Sequence, residues 1–103
     1  MNDEDAAAEV PNVFTLFQNT PNPFNPATTI SYNLRKSSLI SLKVYDLLGR
    51  EVTTLAEGDT PAGQHRVVWN GSDYSRKQVS SGVYFYRLIA GGREETRKML
   101  LAR

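Results

Sequence analysis

A chain of 103 residues, 40% hydrophobic and 22% charged with a formal net charge of +1, has room for one globular domain and no second. That composition excludes a long disordered tail, and at this size roughly two-thirds of the unfolded surface can be buried without metal or disulfide staples. Zero cysteines and one histidine, His65, exclude thiolate zinc sites, cysteine nucleophiles and multi-histidine metal centres, while leaving the redox compartment open. Twelve Lys and Arg are dispersed among eleven acids with no basic run, so nucleic acid is not an expected partner. No stretch approaches the ~20 apolar residues of a membrane helix, so no transmembrane segment is expected. Met1 to Asp5 is acidic and polar, without the basic and apolar regions of a signal peptide.

Residues 1–13 carry acids, three consecutive alanines and a proline, and read as an inter-domain linker; the domain itself is expected over 14–103. Phe14, Leu16 and Phe17 mark a first short strand. Asn19-Thr20-Pro21-Asn22-Pro23-Phe24-Asn25-Pro26 follows, where three prolines remove three backbone donors and hold their predecessors extended, giving a stiff loop that crosses between sheets. Its expected structural job is to let Phe24 plug one end of the core. Ile30, Tyr32 and Leu34 then share one face of a strand, with Thr29, Ser31 and Asn33 opposite. After a polar turn at Arg35 to Ser38, Ile40, Leu42 and Val44 share the next face.

Asp46-Leu47-Leu48-Gly49-Arg50 reads as a hairpin loop, with Gly49 at positive φ and Asp46 able to accept from a nearby backbone N–H. Glu51 to Ala56 resumes the strand, and Glu57 to Gly63 is expected to be a loop. His65, Val67 and Trp69 form one face of the following strand. A polar loop from Asn70 to Ser81 precedes Gly82 to Ala90, aromatic and β-branched on both faces as in a central strand. Gly91-Gly92 allows a tight hairpin, and Glu94 to Leu101 closes the sheet. Seven strands with turn signals at this spacing, and no helix signal, predict an all-β, seven-stranded, antiparallel immunoglobulin-like sandwich. Its expected core is residues 30, 32, 34, 40, 42, 44, 52, 67, 69, 84, 86 and 88.

Chemistry finds little purchase. His65 lies mid-strand without a Ser-His-Asp signature, the acids fall in turns or on exposed strand positions, and no glycine-rich loop precedes a helix. The chain is therefore not expected to be an enzyme or to hold a cofactor. Asn70 and Asp73, in Asn70-Gly71-Ser72-Asp73, are weak candidates for a calcium site, but the spacing is not that of an EF-hand and turn chemistry accounts for them. A carbohydrate-binding role would need exposed rings. Trp69, Tyr84 and Tyr86 alternate into the core, which leaves Tyr74 as the one aromatic expected to be freely exposed.

Leu16-Phe17-Gln18-Asn19-Thr20-Pro21-Asn22-Pro23-Phe24-Asn25-Pro26-Ala27-Thr28-Thr29-Ile30 closely resembles the opening motif of C-terminal sorting domains of the type IX (Por) secretion system. Leu42 to Val52, with Val44-Tyr45-Asp46-Leu47-Leu48-Gly49-Arg50 at its centre, is similar to the second motif of that family. Ser81 to Leu88 with Thr96 to Leu101 is similar to the closing motif, so the resemblance covers residues 16 to 102. Trp69 to Asp73, Val79 and Ser81-Gly82-Val83-Tyr84 also resemble the Ig-like domain of flagellar hook-capping proteins; sorting domains have a shorter stretch there.

The sorting resemblance implies a non-catalytic module that directs secretion of attached N-terminal cargo domains across the outer membrane and their attachment to the cell surface. Its implied partners are an outer-membrane translocon and a sortase-like protease, and its implied location is secreted or cell-surface, reached through the periplasm. A monomer is expected. On this reading the recognition residues are Pro21, Asn22, Pro23 and Phe24, then Asp46, Gly49 and Arg50, then Gly82 and Lys98. The alternatives are a structural assembly domain of the hook-cap kind and a carbohydrate-binding accessory module of a secreted enzyme.

Overall fold

Alternation of β-branched, aromatic and leucine side chains with polar ones resolves into seven strands, seen in a computed structural model that describes residues 13–103. They are β1 (Phe14–Leu16), β2 (Thr28–Leu34), β3 (Ser38–Tyr45), β4 (Glu51–Thr60), β5 (Gly63–Trp69), β6 (Gly82–Ala90) and β7 (Arg93–Leu101). Two antiparallel sheets result, ordered β1-β2-β5 and β4-β3-β6-β7, with no helix among the described residues. This is the Ig-like sandwich that the sequence predicts. The linker expected over 1–13 falls outside the described residues except for Val13. That residue packs against the domain, its carbonyl accepting from the Arg35 N–H at 3.1 Å.

The core is where period two places it. Ile30, Tyr32 and Leu34 from β2 meet Ile40, Leu42 and Val44 from β3 and Tyr84, Tyr86 and Leu88 from β6, all buried. Of the expected core only Val67 is half-buried, because β5 is the last strand of its sheet and no further strand lies beside it among the described residues. Phe14, Leu16, Phe24, Ala90, Met99 and Leu101 complete the interior. Trp69 is packed between Phe24 (ring centroids 5.6 Å apart) and Tyr84 (5.3 Å, edge-on), and its indole N–H donates to the Ser72 carbonyl at 2.9 Å.

Residues 16–24 fasten the two sheets together. Thr20 exchanges backbone bonds with Thr29 of β2, while Phe24 donates to Leu100 O and accepts from Ala102 N–H alongside β7. Between these points, side chains continue the seal. Gln18 donates to Lys98 O at 2.8 Å, and Asn22 Oδ1 accepts from Leu100 N–H at 3.0 Å. From the same four-stranded sheet, Tyr86 donates its hydroxyl to Phe17 O and Arg97 its guanidinium to Leu16 O. Burial pushes the Tyr86 hydroxyl pKa up to about 12, so it stays a donor at any ordinary pH. The fully buried Asn19 holds the loop's shape: its amide donates to Thr28 Oγ1 (2.9 Å) and Pro21 O (3.2 Å).

Two segments differ from the sequence expectation. Glu57 to Thr60, expected in a loop, continue β4 as partners of Ser38 to Ser41. Register shifts at Leu42/Lys43 and Val44/Tyr45 let the longer strand follow β3, so the turn shrinks to Pro61-Ala62. Phe17 lies just outside β1, 41% exposed, although its N–H still bonds to Ser31 O.

Truncating Phe24 to Ala is expected to lower stability by about 3–5 kcal/mol. Asn19→Ala is expected to cost about 1–3 kcal/mol, because it empties a buried position and takes a donor from Thr28 Oγ1 and from Pro21 O, leaving those two only the bond to each other (2.8 Å). Urea titrations followed by the single tryptophan's fluorescence measure both; a change below 0.5 kcal/mol (of the order of an ordinary surface substitution) for either variant contradicts the role given to the loop.

Candidate functional site

Strand register decides which loops are neighbours. Tyr45 pairs with Phe85, Gly82 with Leu101, and Thr28 with Trp69, so the end of β3, the start of β6 and the ends of β5 and β7 lie at one pole. The proline loop, the Asp46–Arg50 hairpin, the Asn70–Ser81 loop and Ala102-Arg103 therefore converge there. Pro21, Asn22, Pro23, Phe24, Asp46, Gly49, Arg50, Gly82, Asn70 and Asp73 all sit at this end; Lys98 is exposed on β7 three residues before Leu101. Segments more than fifty residues apart in the chain thus share one surface. The turns at 35–37, 61–62 and 91–92 occupy the opposite pole.

Two five-residue loops at the pole share one design. In the first, Asp46 Oδ1 accepts from the N–H groups of Leu48 and Arg50, Asp46 O accepts from Gly49, and Asp46 N–H donates to Arg50 O. In the second, Asp73 Oδ1 accepts from Ser75 and Lys77, Asp73 O from Arg76, and Asp73 N–H donates to Lys77 O. The fourth position needs positive φ in both: Gly49 has +84°, and Arg76 has +66°, the single non-glycine residue in that region among those described. The Arg50 backbone N–H, together with its guanidinium at 2.8 Å from Oδ2, holds the Asp46 carboxyl below its usual pKa.

The candidate residues divide by what they touch. Phe24 is buried, Asn22 spends its side-chain carbonyl on β7, Asp46 and Gly49 shape the hairpin, and Gly82 starts β6 opposite Leu101. Pro21, Pro23 and Arg50 are exposed. Asn70 Oδ1 accepts from the Ser72 hydroxyl and Asp73 Oδ1 closes its own loop, so one oxygen of each residue considered for calcium serves as a local hydrogen-bond acceptor. Tyr74 is more constrained than the sequence suggests. Its ring is 56% exposed, but its N–H bonds to Val52 O and its hydroxyl lies 2.8 Å from Glu51 Oε1 and 2.7 Å from Thr54 Oγ1. That hydroxyl, more than the Lys43 ammonium 3.3 Å away, keeps the Glu51 carboxyl below its usual pKa.

Sequence reasoning misses three features. Leu47 and Leu48, at the tip of the first Asp loop, are 68% and 76% exposed beside a shallow groove of about 260 Å³ whose far wall is Ser80 to Val83. Two adjacent leucines inside a polar turn break the alternation, and that break was the available signal. Arg103 ties the pole together, donating to Val79 O (2.8 Å) and Gly71 O (3.1 Å) while Ser81 Oγ accepts its backbone N–H. Gly71 leaves the space: a Cβ there would lie 2.7 Å from the Arg103 guanidinium and 3.3 Å from Pro26 O. His65 is remote from all this, stacked on Tyr32 with Nε2 2.8 Å from Pro61 O. Among the described residues no three His, Asp or Glu gather as metal ligands would.

Residues 24–92, from Phe24 in the proline loop to the β6–β7 turn, match the FlgD Ig-like domain family. The chain belongs to this family. Among solved structures, FlgD from P. aeruginosa is 27% identical over 73% of the chain, with a TM-score of 0.57. PorU from Porphyromonas gingivalis, crystallised as a latent dimer, is 18% identical over 85% with a TM-score of 0.69. PorZ, a surface component of the type IX secretion system of the same bacterium, is 21% identical over 93% with a TM-score of 0.59. The chain spans 60% of that FlgD chain, 9% of PorU and 12% of PorZ, and the two Por likenesses speak to the fold alone. No curated protein matches.

The two Asp loops of this FlgD-type domain make a paired prediction. Gly49→Ala is expected to cost about 1 kcal/mol, since alanine resists positive φ. Arg76→Gly is expected to change stability by less than half that, because strain relieved in the folded chain offsets entropy gained in the unfolded one. Chemical denaturation of both variants checks this; equal losses in the two contradict the shared loop geometry.

Proposed function

We propose that the domain is a non-catalytic, pre-folded export signal, read at this pole by an outer-membrane secretion translocon that carries the attached cargo to the cell surface. The observation that carries the reading is the convergence of three motifs on one surface. The proline loop, the Asp46–Arg50 hairpin and the Ser81–Val83 strand start lie far apart in the chain, yet border one another in space. The buried and hydrogen-bonded members of those motifs build the surface; Pro21, Pro23, Leu47, Leu48 and Arg50 are displayed on it. Stiff loops on a finished sandwich lose little entropy on binding, which suits recognition of a folded passenger. Similarity in fold to PorU and PorZ supports the same setting. A sortase-like protease that then separates cargo from signal belongs to this proposal.

The family match and the 27% identity to FlgD favour a second reading, in which the domain is a structural assembly module of hook-cap type. It differs in what the domain does alone: an assembly module binds its own kind of neighbour and exports nothing.

The test fuses a signal peptide and a fluorescent reporter to residues 1–103, in a bacterium with a type IX translocon and in a strain lacking it. The export reading expects reporter at the surface or in the medium only in the competent strain. Reporter retained in the periplasm of both strains, on a folded domain, overturns it in favour of assembly.

A further inference from the structure

The four sheet edges are treated unequally. β7 is sealed by Gln18, Asn22 and Phe24, and β1 is three residues long with its Leu16 carbonyl taken by Arg97. β4 carries two register shifts, and Tyr74 bonds to it at Val52. These are the devices by which proteins blunt sheet edges. β5 has none of them. It pairs with β2 in unbroken register over seven residues, contains no proline, and among the described residues receives no other backbone bond.

Pairing parity says which groups are free. Thr29 and Ser31 of β2 direct their backbone groups toward Thr20 and Phe17, so the even residues of β2 face β5 and bond to Gly63, His65, Val67 and Trp69. Gln64, Arg66 and Val68 therefore point three N–H and three C=O groups outward. Their side chains are all exposed, Val68 by 60%.

The space beside this edge has a definite character. A three-stranded sheet packs on a four-stranded one, and the interior is left thin on the side of β4 and β5. Leu55, Ala56 and Val67, all on those two strands, touch the core but stay half-buried. On the outward face, Arg66 has no carboxylate within ion-pair distance among the described residues.

We propose that β5 accepts one extended segment of a partner polypeptide as a fourth, antiparallel strand of its sheet. Backbone bonds to Gln64, Arg66 and Val68 would set the register. Alternate apolar side chains of the segment cover Val67, Leu55 and Ala56, and an acidic residue on the other face pairs with Arg66. The surface is separate from the pole and does not depend on the export reading.

The probe is a synthetic peptide copying Thr28–Leu34 with the Ser31→Asp change, which sets an acid opposite Arg66 in the β2-like register. Amide NMR of the whole chain is expected to show saturable shifts at Gln64, Arg66 and Val68, and slowed hydrogen exchange at those three N–H groups. Arg66→Pro deletes the central outward donor without touching the β2 ladder, and is expected to weaken binding at least tenfold with the Trp69 emission of the folded domain unchanged. Arg66→Gln keeps the backbone donor and is expected to lose less. Absence of shifts at those amides at millimolar peptide, or binding that survives Arg66→Pro, overturns the proposal. So does concentration-dependent protection of the same amides without peptide, which would make a second copy of the chain the occupant.

Discussion

The structure depends on one stretch of chain that leaves the end of β1 and crosses to the edge of β7. Residues 16–24 bond to β2 through Thr20, to β7 through Gln18, Asn22 and Phe24, and receive donors from Tyr86 and Arg97. A sandwich of two small sheets is held mainly by apolar contact, which is strong but non-directional. These bonds add direction. They fix how one sheet sits on the other, close the outer edge of β7, and place Phe24 against Trp69. Buried Asn19 holds the loop in the shape that reaches both sheets, because its amide joins Thr28 Oγ1 and Pro21 O, themselves bonded to each other, into one network.

This division of labour explains why so much of the motif chemistry is structural. Asp46 and Asp73 each organise a five-residue loop, with Oδ1 accepting two backbone N–H groups. Arg103 and Gly71 lock the second loop against the end of the sheet. The side chains that face outward there include Pro21, Pro23, Leu47, Leu48 and Arg50, carried on a stiff support. Such a surface is suited to being recognised, and the FlgD-type family supplies the scaffold on which it is built.

The fold was legible because period-two alternation is strict in β2, β3 and β6, where one face of each strand meets a complete core. It was less legible at β4, where Glu57 to Thr60 pair with β3 although their composition is that of a turn. There, cross-strand hydrogen bonds outweigh the weak strand preference of Glu, Gly and Asp. Val67 alternates like a core residue, but the position of β5 at the sheet edge, which no local pattern encodes, leaves it half-covered. For the candidate site, the motif residues were visible one by one. Their sorting into supports and displayed groups was not, because Arg103 and the Tyr74–Glu51 contact depend on partners far away in the chain.

The central claim is that recognition lies in the displayed residues of the pole and not merely in the domain being folded. The most direct measurement compares export with stability for a variant that changes display alone. Leu47→Ser combined with Leu48→Ser alters two side chains that are mostly exposed, and so is expected to leave the unfolding midpoint within the range of ordinary surface substitutions. The account predicts that this variant folds normally and that its reporter stays in the periplasm of a translocon-competent strain. Full export of the folded variant, with export falling only when stability falls, would contradict it.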